Sequence, residues 1–404
     1  MALQTKNKIR RAVICPDKFK GGLDSSSVSA AIKEGLTDYF SYPVNFKTVE
    51  MADGGDGSAD LFGRLTGARK IDMEVCGPLG NNVPSYYMLG GMVDGKPAAF
   101  VECAKACGLA MVPEEKRNPL NTTTFGVGQL VRDALEKGAR TIYIGVGGSS
   151  SNDCGCGMLQ GLGFTVGLPD GVKATGGNLH LAGPVLEPED GALLEKLRST
   201  RFIIINDVDS PLCGPSGAAY MYSPQKGADP EMVERLDRDS RDFLSRCGMT
   251  SFSRSDAFEA SLLAGAGTAG GMGFAFLHFL GAGSVSGFEF FGSRLQGLDA
   301  AIAEADLVIS GEGSIDSQSL MGKVVGGVCA SMRKCGDAAD KRLWLFCGKG
   351  TLDPAELALS SGGAKVGLYQ LADIEPDMKA RMKREYPLLR QLSYCAAMEM
   401  DSIL

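Results

Sequence analysis

Short apolar runs along the chain end repeatedly in loops that are rich in glycine and polar residues. Near the start, apolar runs at 9–15 and 44–51 are each followed by a stretch with helical spacing, at 28–40 and 58–65. A strand, a glycine-rich loop and a helix, used twice in succession, is the typical beginning of a parallel α/β domain. The pattern returns after about residue 290, where strands are predicted at 305–310, 343–347 and 365–369 and helices at 323–333 and the C-terminus.

The middle of the chain has a different pattern. Three short segments separated by turn signals predict an antiparallel meander, with strands at 71–75, 86–90 and 98–102. Two apolar runs predict further buried strands, and helical spacing predicts three helices: strands at 142–146 and 202–207, helices at 123–137, 230–246 and 258–263. We therefore predict an α/β protein in which residues 1–69 and 290–404 form a parallel-sheet domain and residues 70–289 form a second α/β domain inserted into it.

Five predicted strands run directly into the same kind of loop. The loops are CPDKFKGG (15–22), MADGGDG (51–57), IGVGGSSSND (144–153), INDVDS (205–210) and ISGEGSID (309–316). Ligands of open parallel sheets bind beyond the carboxyl ends of the strands, which is where these loops lie. Glycine N–H groups, helix N-termini and carboxylates together suit a phosphate group and a divalent metal ion.

Each candidate side chain also has a structural interpretation. Asp53 and Asp56 flank two glycines, as in a simple turn, or they hold Mg²⁺ or a nucleotide phosphate through water. Asp17, Lys18 and Lys20 form a solvated charged loop, or a lysine there contacts the phosphates of a ligand. Asp207 caps a turn after its buried strand, or it accepts the proton of an attacking hydroxyl.

Several other classes of protein are disfavoured. GAGTAG at 265–270 matches the dinucleotide-binding pattern, but a helical segment precedes it instead of a strand, so we interpret it as an anion-binding or close-packing loop. A Walker A motif and the protein-kinase signatures are absent. His180 and His278 are the only histidines, which argues against a Ser-His-Asp triad or a histidine-rich metal centre, and His278 within FLHFL is interpreted as a core residue.

Composition indicates which partners and which cell compartment to expect. The chain has 404 residues, of which 44% are hydrophobic and 22% charged, an ordinary globular composition apart from its 55 glycines, about twice the usual share. The net charge of −7 makes nucleic acid or a membrane surface an unexpected partner. The twelve cysteines contain no CxxC pair and are interpreted as reduced, mostly buried thiols. With no signal peptide and no apolar run of about 18 residues, we expect a cytosolic protein.

Taken together in their order, the motifs resemble those of the bacterial type I glycerate kinase family. The resemblance covers nearly the full length and is carried by segments 15–36, 52–57, 118–130, 144–164, 206–228, 265–282 and 307–323. Three positions depart from the family's usual residues: Lys18 replaces a serine, Ser210 an asparagine and Ser314 an arginine. The resemblance implies a flavodoxin-like domain split by an inserted α/β domain, an active site in the cleft between them, and a product that is 2-phosphoglycerate.

On this basis we expect ATP- and Mg²⁺-dependent phosphorylation of (R)-glycerate. Asp207 is the expected base, with Lys20 and Asp17 as further catalytic residues and glycerate bound by Ser149, Asn152, Asp153 and Lys226. The expected nucleotide-binding residues are Gly54, Gly55, Gly311, Gly313 and Lys323, and the expected Mg²⁺ residues are Asp53, Asp56 and Glu312.

Three alternatives remain open at the level of the sequence. They are a kinase for another small hydroxy acid, an NAD(P)-dependent hydroxy-acid oxidoreductase suggested by GAGTAG, and a non-catalytic protein that binds small acids. The sequence also leaves the oligomeric state open, with a homodimer among the outcomes.

Overall fold

The chain divides into two compact units. The structure, a computed structural model, describes residues 8–19, 22–320 and 323–402. Unit 1 comprises Met1–Ala52 and Gly287–Leu404, and unit 2 is the continuous segment Asp53–Ser286. Unit 1 is therefore assembled from both ends of the chain.

Eleven strands are present in the described residues: β1 Arg11–Ile14, β2 Asn45–Thr48, β3 Arg69–Cys76, β4 Asn82–Val93, β5 Lys96–Glu102, β6 Thr141–Gly145, β7 Arg201–Ile205, β8 Gly283–Val285, β9 Leu307–Ile315, β10 Arg342–Gly350 and β11 Lys365–Gln370. The α-helices of the same residues are α1 Ser25–Tyr39, α2 Ser58–Thr66, α3 Ala104–Cys107, α4 Phe125–Glu136, α5 Cys156–Leu162, α6 Gly191–Arg198, α7 Ala218–Tyr222, α8 Pro230–Leu244, α9 Ala257–Ser261, α10 Thr268–Phe279, α11 Leu298–Glu304, α12 Val324–Arg333, α13 Pro354–Ser360, α14 Met378–Lys383 and α15 Glu385–Ser402. A π-helix spans Phe288–Arg294.

The sheet of unit 1 is parallel throughout, in the order β11-β10-β9-β1-β2. Numbered within the unit, this is the order 2-1-3-4-5 of the flavodoxin-like fold. Both faces of the sheet are covered, as buried parallel strands require. Alternate residues of β1 separate the two cores: Val13 packs with Val308 and Val325 on one face, and Ile14 packs with Ile32 and Leu389 on the other.

The sheet of unit 2 is mixed, in the order β3-β4-β5-β6-β7-β8. Strands β3, β4 and β5 pair antiparallel, and β5 through β8 pair in parallel. Its core gathers apolar residues of β5–β7 against helices α4, α5 and α10, including Ile144, Ile204, Leu130, Met158 and Phe276. The predicted antiparallel meander is confirmed.

The unit boundaries differ from the sequence-based ones at 69/70 and 289/290. Residues 53–69 belong to unit 2 because α2 turns its apolar side, with the fully buried Phe62, onto the sheet of that unit. The Phe62 ring lies 5.2 Å from that of Phe100 in β5. Hydrophobic periodicity finds such a helix but does not show which sheet it covers.

One predicted loop is part of a strand. The sequence ends the strand at residue 310 and places GEGSID in a loop, but β9 continues to Ile315. The partner strand β10 is equally long, and the register runs from Leu307 opposite Arg342 to Ile315 opposite Gly350. The prediction was wrong because glycines were taken as strand breakers, whereas Gly311 packs closely against β10: a Cβ there would lie 2.0 Å from the Phe346 carbonyl oxygen.

Candidate active site

A cavity of about 320 Å³ lies in unit 2, beyond the carboxyl ends of β6 and β7. This is the edge at which open α/β sheets bind their ligands. Four of the predicted site residues line it: Asp53, Ser149, Asp207 and Lys226. They come from four separate segments of the chain. The fold thus brings together residues that the sequence alone connected only through similar loop positions and the family resemblance.

The Asp53 loop is seated directly on the ends of the two strands. Gly54 has a left-handed backbone (φ +79°), and a Cβ there would lie 2.6 Å from the Ile205 carbonyl oxygen. The Gly54 carbonyl accepts a hydrogen bond from the N–H of Gly147 at 3.1 Å. The N–H of Gly55 donates to Asp53 Oδ1 at 3.0 Å. Glycine is needed at position 54 because of this close approach, which fixes Asp53 at the cavity.

Asp207 is carried by a turn that the preceding residue closes. Asn206 Nδ2 donates to the Val208 carbonyl at 2.6 Å, and Asn206 Oδ1 accepts from the Val208 N–H at 3.2 Å. Such local side-chain hydrogen bonds are the usual way in which asparagine stabilises a turn. Asn206 therefore holds the backbone on both sides of the Asp207 carboxylate.

Lys226 is a buried ammonium group at the wall of the cavity. The residue is only 3% exposed, and its Nζ donates to the Ser151 carbonyl at 2.7 Å and to Ser149 Oγ at 3.2 Å. Within the described residues no carboxylate lies within 4.0 Å of Nζ. Burial lowers the pKa of Lys226 to about 8, although Cys107 and Asp153 act in the opposite direction. A buried cation that faces a cavity without a carboxylate partner is suited to bind an anion.

The GAGTAG segment forms the opposite wall with Thr268 and Ala269. Three consecutive residues, Ala269, Gly270 and Gly271, have left-handed backbones. A Cβ on Gly270 would lie 2.0 Å from the Ser151 carbonyl oxygen, and the Gly270 carbonyl accepts from the Cys154 N–H at 3.1 Å. The segment follows α9 instead of a strand, so its glycines serve close packing.

Asn152 and Asp153 are fully buried and do not line the cavity. Asp153 accepts hydrogen bonds from the N–H and Oγ1 of Thr124 at 2.9 and 2.8 Å, and from the N–H groups of Gly155 and Gly157. Burial raises its pKa, and these hydrogen bonds oppose the effect. Asp153 thus joins the start of α4 to the start of α5, whereas Asn152 accepts a hydrogen bond from Ser223 Oγ at 3.1 Å.

The two metal candidates of the DGGDG loop have different surroundings. Asp53 lines the cavity, but the Asp56 side chain is 84% exposed and its Oδ1 lies 3.2 Å from Lys105 Nζ. Lys105 also lies 3.3 Å from Glu102 Oε1. No group of three or more His, Cys, Asp and Glu side chains converges in the part of the chain that the structure describes.

The unit 1 candidates collect at the point where its strand order reverses. Asp17 follows β1, and its N–H donates to the Gly311 carbonyl of β9 at 2.8 Å. The buried Glu312 faces Lys323, with 3.8 Å between Oε2 and Nζ. Burial raises the pKa of Glu312, and the Asp17 carboxylate acts in the same direction while Lys323 opposes it. Gly311 and Gly313 lie inside β9, not in a loop as predicted.

The remaining predictions concern single residues. Lys20 lies outside the described residues. His278 is a core residue as predicted, with its Nε2 2.9 Å from the Gly248 carbonyl oxygen.

All twelve cysteines are unpaired, which agrees with the interpretation as free thiols. Among the helices of the described residues, none combines the length and apolar character needed to cross a membrane.

Sequence reasoning missed several residues of the cavity wall, including Tyr222, Gln225 and Thr268. Each lies inside a motif that had been noticed, but nothing in the pattern distinguishes a wall residue from its neighbours. Glu102 and Lys105 were also missed. A usable signal existed, because the predicted strand 98–102 ends in a carboxylate, and several strands that run into the candidate site loops are likewise followed by carboxylates.

These features define an α/β enzyme whose polar loops at strand ends, instead of a P-loop, form the site. The model of the glycerate kinase family matches residues 12–400. Glycerate kinase of Haemophilus influenzae is 39% identical over 323 residues, or 80% of this chain and 82% of the relative. Glycerate 2-kinase of Escherichia coli is 38% identical over 326 residues, with the same coverage. A crystal structure of a protein assigned as glycerate kinase 2 from Salmonella typhimurium LT2 has a TM-score of 0.74 at 33% identity and covers 98% of this chain and 99% of its own.

The chain belongs to the glycerate kinase family. It is an enzyme of the kinase class, which transfers a phosphoryl group to an alcohol acceptor.

Proposed function

We propose that this enzyme transfers the γ-phosphoryl group of ATP to a hydroxyl of (R)-glycerate, with Mg²⁺, and forms 2-phosphoglycerate and ADP. The observation that carries the choice of substrate is Lys226, a buried ammonium at a cavity of about 320 Å³ with no carboxylate partner in the described residues. A small acid supplies the missing charge. Its binding in water-poor surroundings makes a charge-assisted hydrogen bond stronger than it would be at the surface.

Glycerate fits the polarity of the wall around Lys226. Its carboxylate binds Lys226, and its hydroxyls meet Ser149 Oγ, which lies 3.2 Å from the lysine Nζ. Binding of the carboxylate replaces neither of the two hydrogen bonds that Lys226 makes, because an ammonium group has three donors. The third N–H is the one offered to the substrate.

Asp207 is the proposed base. It lies on the same cavity as Lys226, at the end of β7, and the turn of Asn206 fixes its backbone. A carboxylate in hydrogen-bond reach of the substrate hydroxyl accepts its proton as the oxygen attacks phosphorus, the role that an aspartate has in other phosphoryl-transfer enzymes.

The residues proposed for the nucleotide and the metal ion are chosen by the ligands that each of them requires. Mg²⁺ takes oxygen ligands, keeps several waters and needs only one or two carboxylates in addition to phosphate oxygens. Asp53, which lines the cavity, fits this requirement better than Asp56, whose partner is Lys105. When bound, Mg²⁺ would neutralise charge on the phosphates. Asp17, Glu312 and Lys323 are proposed to contact the nucleotide, since flavodoxin-like sheets bind ligands where their strand order reverses.

The direct test is ³¹P NMR of a reaction containing ATP, Mg²⁺ and D-glycerate. We expect a monoester signal that grows as ATP is consumed, and its coupling to carbon-bound protons identifies the phosphorylated hydroxyl. A doublet indicates attachment at C2, and a coupling pattern of two protons indicates attachment at C3. L-glycerate in a parallel sample tests the enantiomer. No turnover by folded protein, and turnover of another hydroxy acid in a panel, would reassign the substrate within the kinase class.

A cytoplasmic location completes the proposal. ATP is the proposed donor, and the twelve unpaired cysteines suit a reducing compartment. Fractionation of the source cells, with the enzyme detected by immunoblot, measures the location directly.

A further inference from the structure

The start of α2 has an unusual cap. Its N-cap residue is Gly57, with φ +88° and no side chain to accept the free N–H groups of the first turn. The N–H of Ala59 instead donates to Glu102 Oε2 at 3.0 Å, a residue 43 positions away at the end of β5. The capping acceptor is thus supplied by the sheet, so it fixes the helix start relative to the strand ends.

Capping the helix with Glu102 carries an unfavourable free energy of desolvation. Its side chain is fully buried, and Oε1 has no hydrogen-bond partner, although Lys105 Nζ lies 3.3 Å away. A buried carboxylate loses its hydration, and the left-handed backbone of Gly57 does not suit the extended serine or aspartate caps that helices usually have. The cap therefore comes from the sheet, and Glu102 connects the start of α2 to the end of β5.

Lys105 provides that additional connection. Its Nζ lies between two carboxylates, 3.3 Å from Glu102 Oε1 and 3.2 Å from Asp56 Oδ1. Asp56 belongs to the loop of residues 53–57 that ends at the start of α2. One chain of contacts, from Glu102 through Lys105 to Asp56, thus holds the loop, and the contact of Glu102 with Ala59 holds the helix that follows.

The other end of the loop carries Asp53 at the cavity. Its position depends on the contact of Gly54 with Gly147 and on the seat of the loop against Ile205. Between the contacts of Gly54 and the Asp56 tie, the loop contains only Gly55, and a glycine gives little resistance to backbone motion. Within the described residues, Lys105 is the side chain that ties Asp56, so loss of this contact frees the carboxyl-terminal half of the loop.

We propose that Glu102 and Lys105 are positioning residues, which order the 53–57 loop so that Asp53 is held ready for Mg²⁺. The inference rests on the proposed function in that it takes Asp53 as the metal residue. Neither Glu102 nor Lys105 is among the residues that line the cavity, so both act through the loop.

The experiment compares Lys105→Met with Lys105→Arg and with the control Lys137→Met. Lys137 forms an ion pair with Asp133 of helix α4, so this control makes the same substitution in the same unit but away from residues 53–60. Hydrogen exchange measured by mass spectrometry is followed on peptides that cover residues 53–60. We expect about tenfold faster exchange in Lys105→Met, and wild-type exchange in Lys105→Arg and Lys137→Met.

A titration of Mg²⁺ by calorimetry, in the presence of a non-hydrolysable ATP analogue, gives the second readout. We expect Lys105→Met to weaken Mg²⁺ binding about tenfold, with the Kd for D-glycerate, titrated in the same way, within twofold of wild type. Glu102→Gln, which keeps an acceptor for Ala59 but loses the charge, serves as a second variant should Lys105→Met fail to fold. It should show the same direction with a smaller effect.

Unchanged exchange in the loop overturns the inference, and so does faster exchange with unchanged Mg²⁺ affinity. A purely structural role would lower the melting temperature but leave Mg²⁺ affinity unchanged below it. Because neither readout needs turnover, wild-type protein that is inactive on D-glycerate would count against the proposed function and not against the positioning role.

Discussion

At the scale of single residues, the buried charge of Lys226 destabilises the folded protein but suits the binding of an anion. Its ammonium is buried, and two neutral oxygens accept its hydrogen bonds while no carboxylate in the described residues neutralises it. Burial of a charge that is not neutralised disfavours the charged form, which is why the pKa of Lys226 falls to about 8. The anion that would restore the balance is the proposed substrate.

Substrate binding should therefore depend on the charge of this one side chain. We expect Lys226→Met to raise the KM for glycerate about 100-fold or more, with a smaller change in kcat, because a charge-assisted hydrogen bond in a dry site is lost. In the wild type, kcat/KM should fall as pH rises above about 8, the pKa of Lys226 in the free enzyme. Initial-rate kinetics from pH 6 to pH 10 measure both effects. The exposed Lys116→Met is the control, and an equal KM in both variants would rule out Lys226 as the carboxylate ligand.

The same residue makes a prediction about stability, with a defined sign. The pKa of Lys226 is about 8 in the folded protein and that of an ordinary lysine is 10.5, so between these pH values the unfolded chain binds more protons than the folded one. Stability should then rise with pH across this window, by an amount on the order of 3 kcal/mol at most. Urea unfolding at pH 7.5 and 10 should show this gain in wild type and a smaller gain in Lys226→Met. An identical pH dependence in the two proteins would contradict the assignment.

Asp207 should carry much of kcat. Asp207→Asn removes the proposed proton acceptor but keeps size and hydrogen-bonding capacity, and we expect kcat to fall by roughly 10²- to 10⁴-fold. The matched control is Asp209→Asn, two residues along the same segment and exposed, which should keep wild-type kcat. Circular dichroism verifies that both variants are folded. A loss of less than about tenfold for Asp207→Asn would remove the residue from the role of base.

Sequence reasoning predicted residue types better than residue surroundings. Lys226 was chosen because of the family resemblance, and Asp53, Ser149 and Asp207 because they follow apolar strands; the fold brings all four to one cavity. Asp153 was chosen on the same ground, yet its oxygens are taken up by Thr124 and two glycine N–H groups. Nothing in a single sequence distinguishes a carboxylate that faces a cavity from one that caps two helices.

At the scale of elements, the positions of glycines matter more than their number. Gly270 and Gly171 both have left-handed backbones, with φ +67° and +77°. A Cβ on Gly270 would lie 2.0 Å from the Ser151 carbonyl oxygen, whereas one on Gly171 meets nothing within 4 Å. A substitution at Gly171 therefore tests backbone strain alone, whereas one at Gly270 tests backbone strain together with close packing.

Gly270→Ala should be far more damaging than Gly171→Ala. At position 171 we expect only the strain of a left-handed alanine, about 1 kcal/mol. At position 270 the backbone of Ser151 has to move as well, and we expect a total loss of about 3 kcal/mol or more, the range of overpacked cores with added strain. The midpoints of chemical denaturation of the two variants are compared by far-ultraviolet circular dichroism. Equal midpoints would show that the loop accommodates a Cβ freely.

Elements with strong periodicity were predicted well, and irregular ones were not. Helix α1 was predicted at 28–40 and spans Ser25–Tyr39; its start is set by Asp24, which accepts from the Ser27 N–H at 2.7 Å, a cap signal that the periodicity does not include. Strand β8 is only three residues long and its pairing with β7 is set by the sheet, so no local pattern marks it. The extension of β9 likewise depends on β10, a partner more than 30 residues later in the chain.

At the scale of the whole molecule, the cavity belongs to a continuous segment. All residues that line it fall within Asp53–Ser286, and this segment has its own sheet and core. The sequence predicted an insertion, but it placed helix α2 and the Asp53 loop outside it, because periodicity does not report which sheet a helix covers.

Residues 53–286 should therefore fold when expressed alone. We expect a cooperative unfolding transition and binding of D-glycerate without nucleotide, lost in the Lys226→Met variant of the same segment. Calorimetric titration measures the binding, and circular dichroism the folding. A folded segment that does not bind glycerate would argue that residues outside it contribute to substrate affinity, and an unfolded segment would show that unit 2 depends on unit 1.

The assembly of unit 1 from both chain ends affects how the protein is made. Strand β1 lies in the interior of its sheet, and its contact with β9, such as the Cys15 thiol to the Ile309 carbonyl, spans 294 residues. At about 5–20 residues per second, a ribosome supplies that partner roughly 15–60 s after β1 has been synthesised. During this interval β1 and α1 expose apolar faces while unit 2 can already fold. The nascent chain is therefore expected to need a chaperone that covers β1 and α1 until β9 has been synthesised.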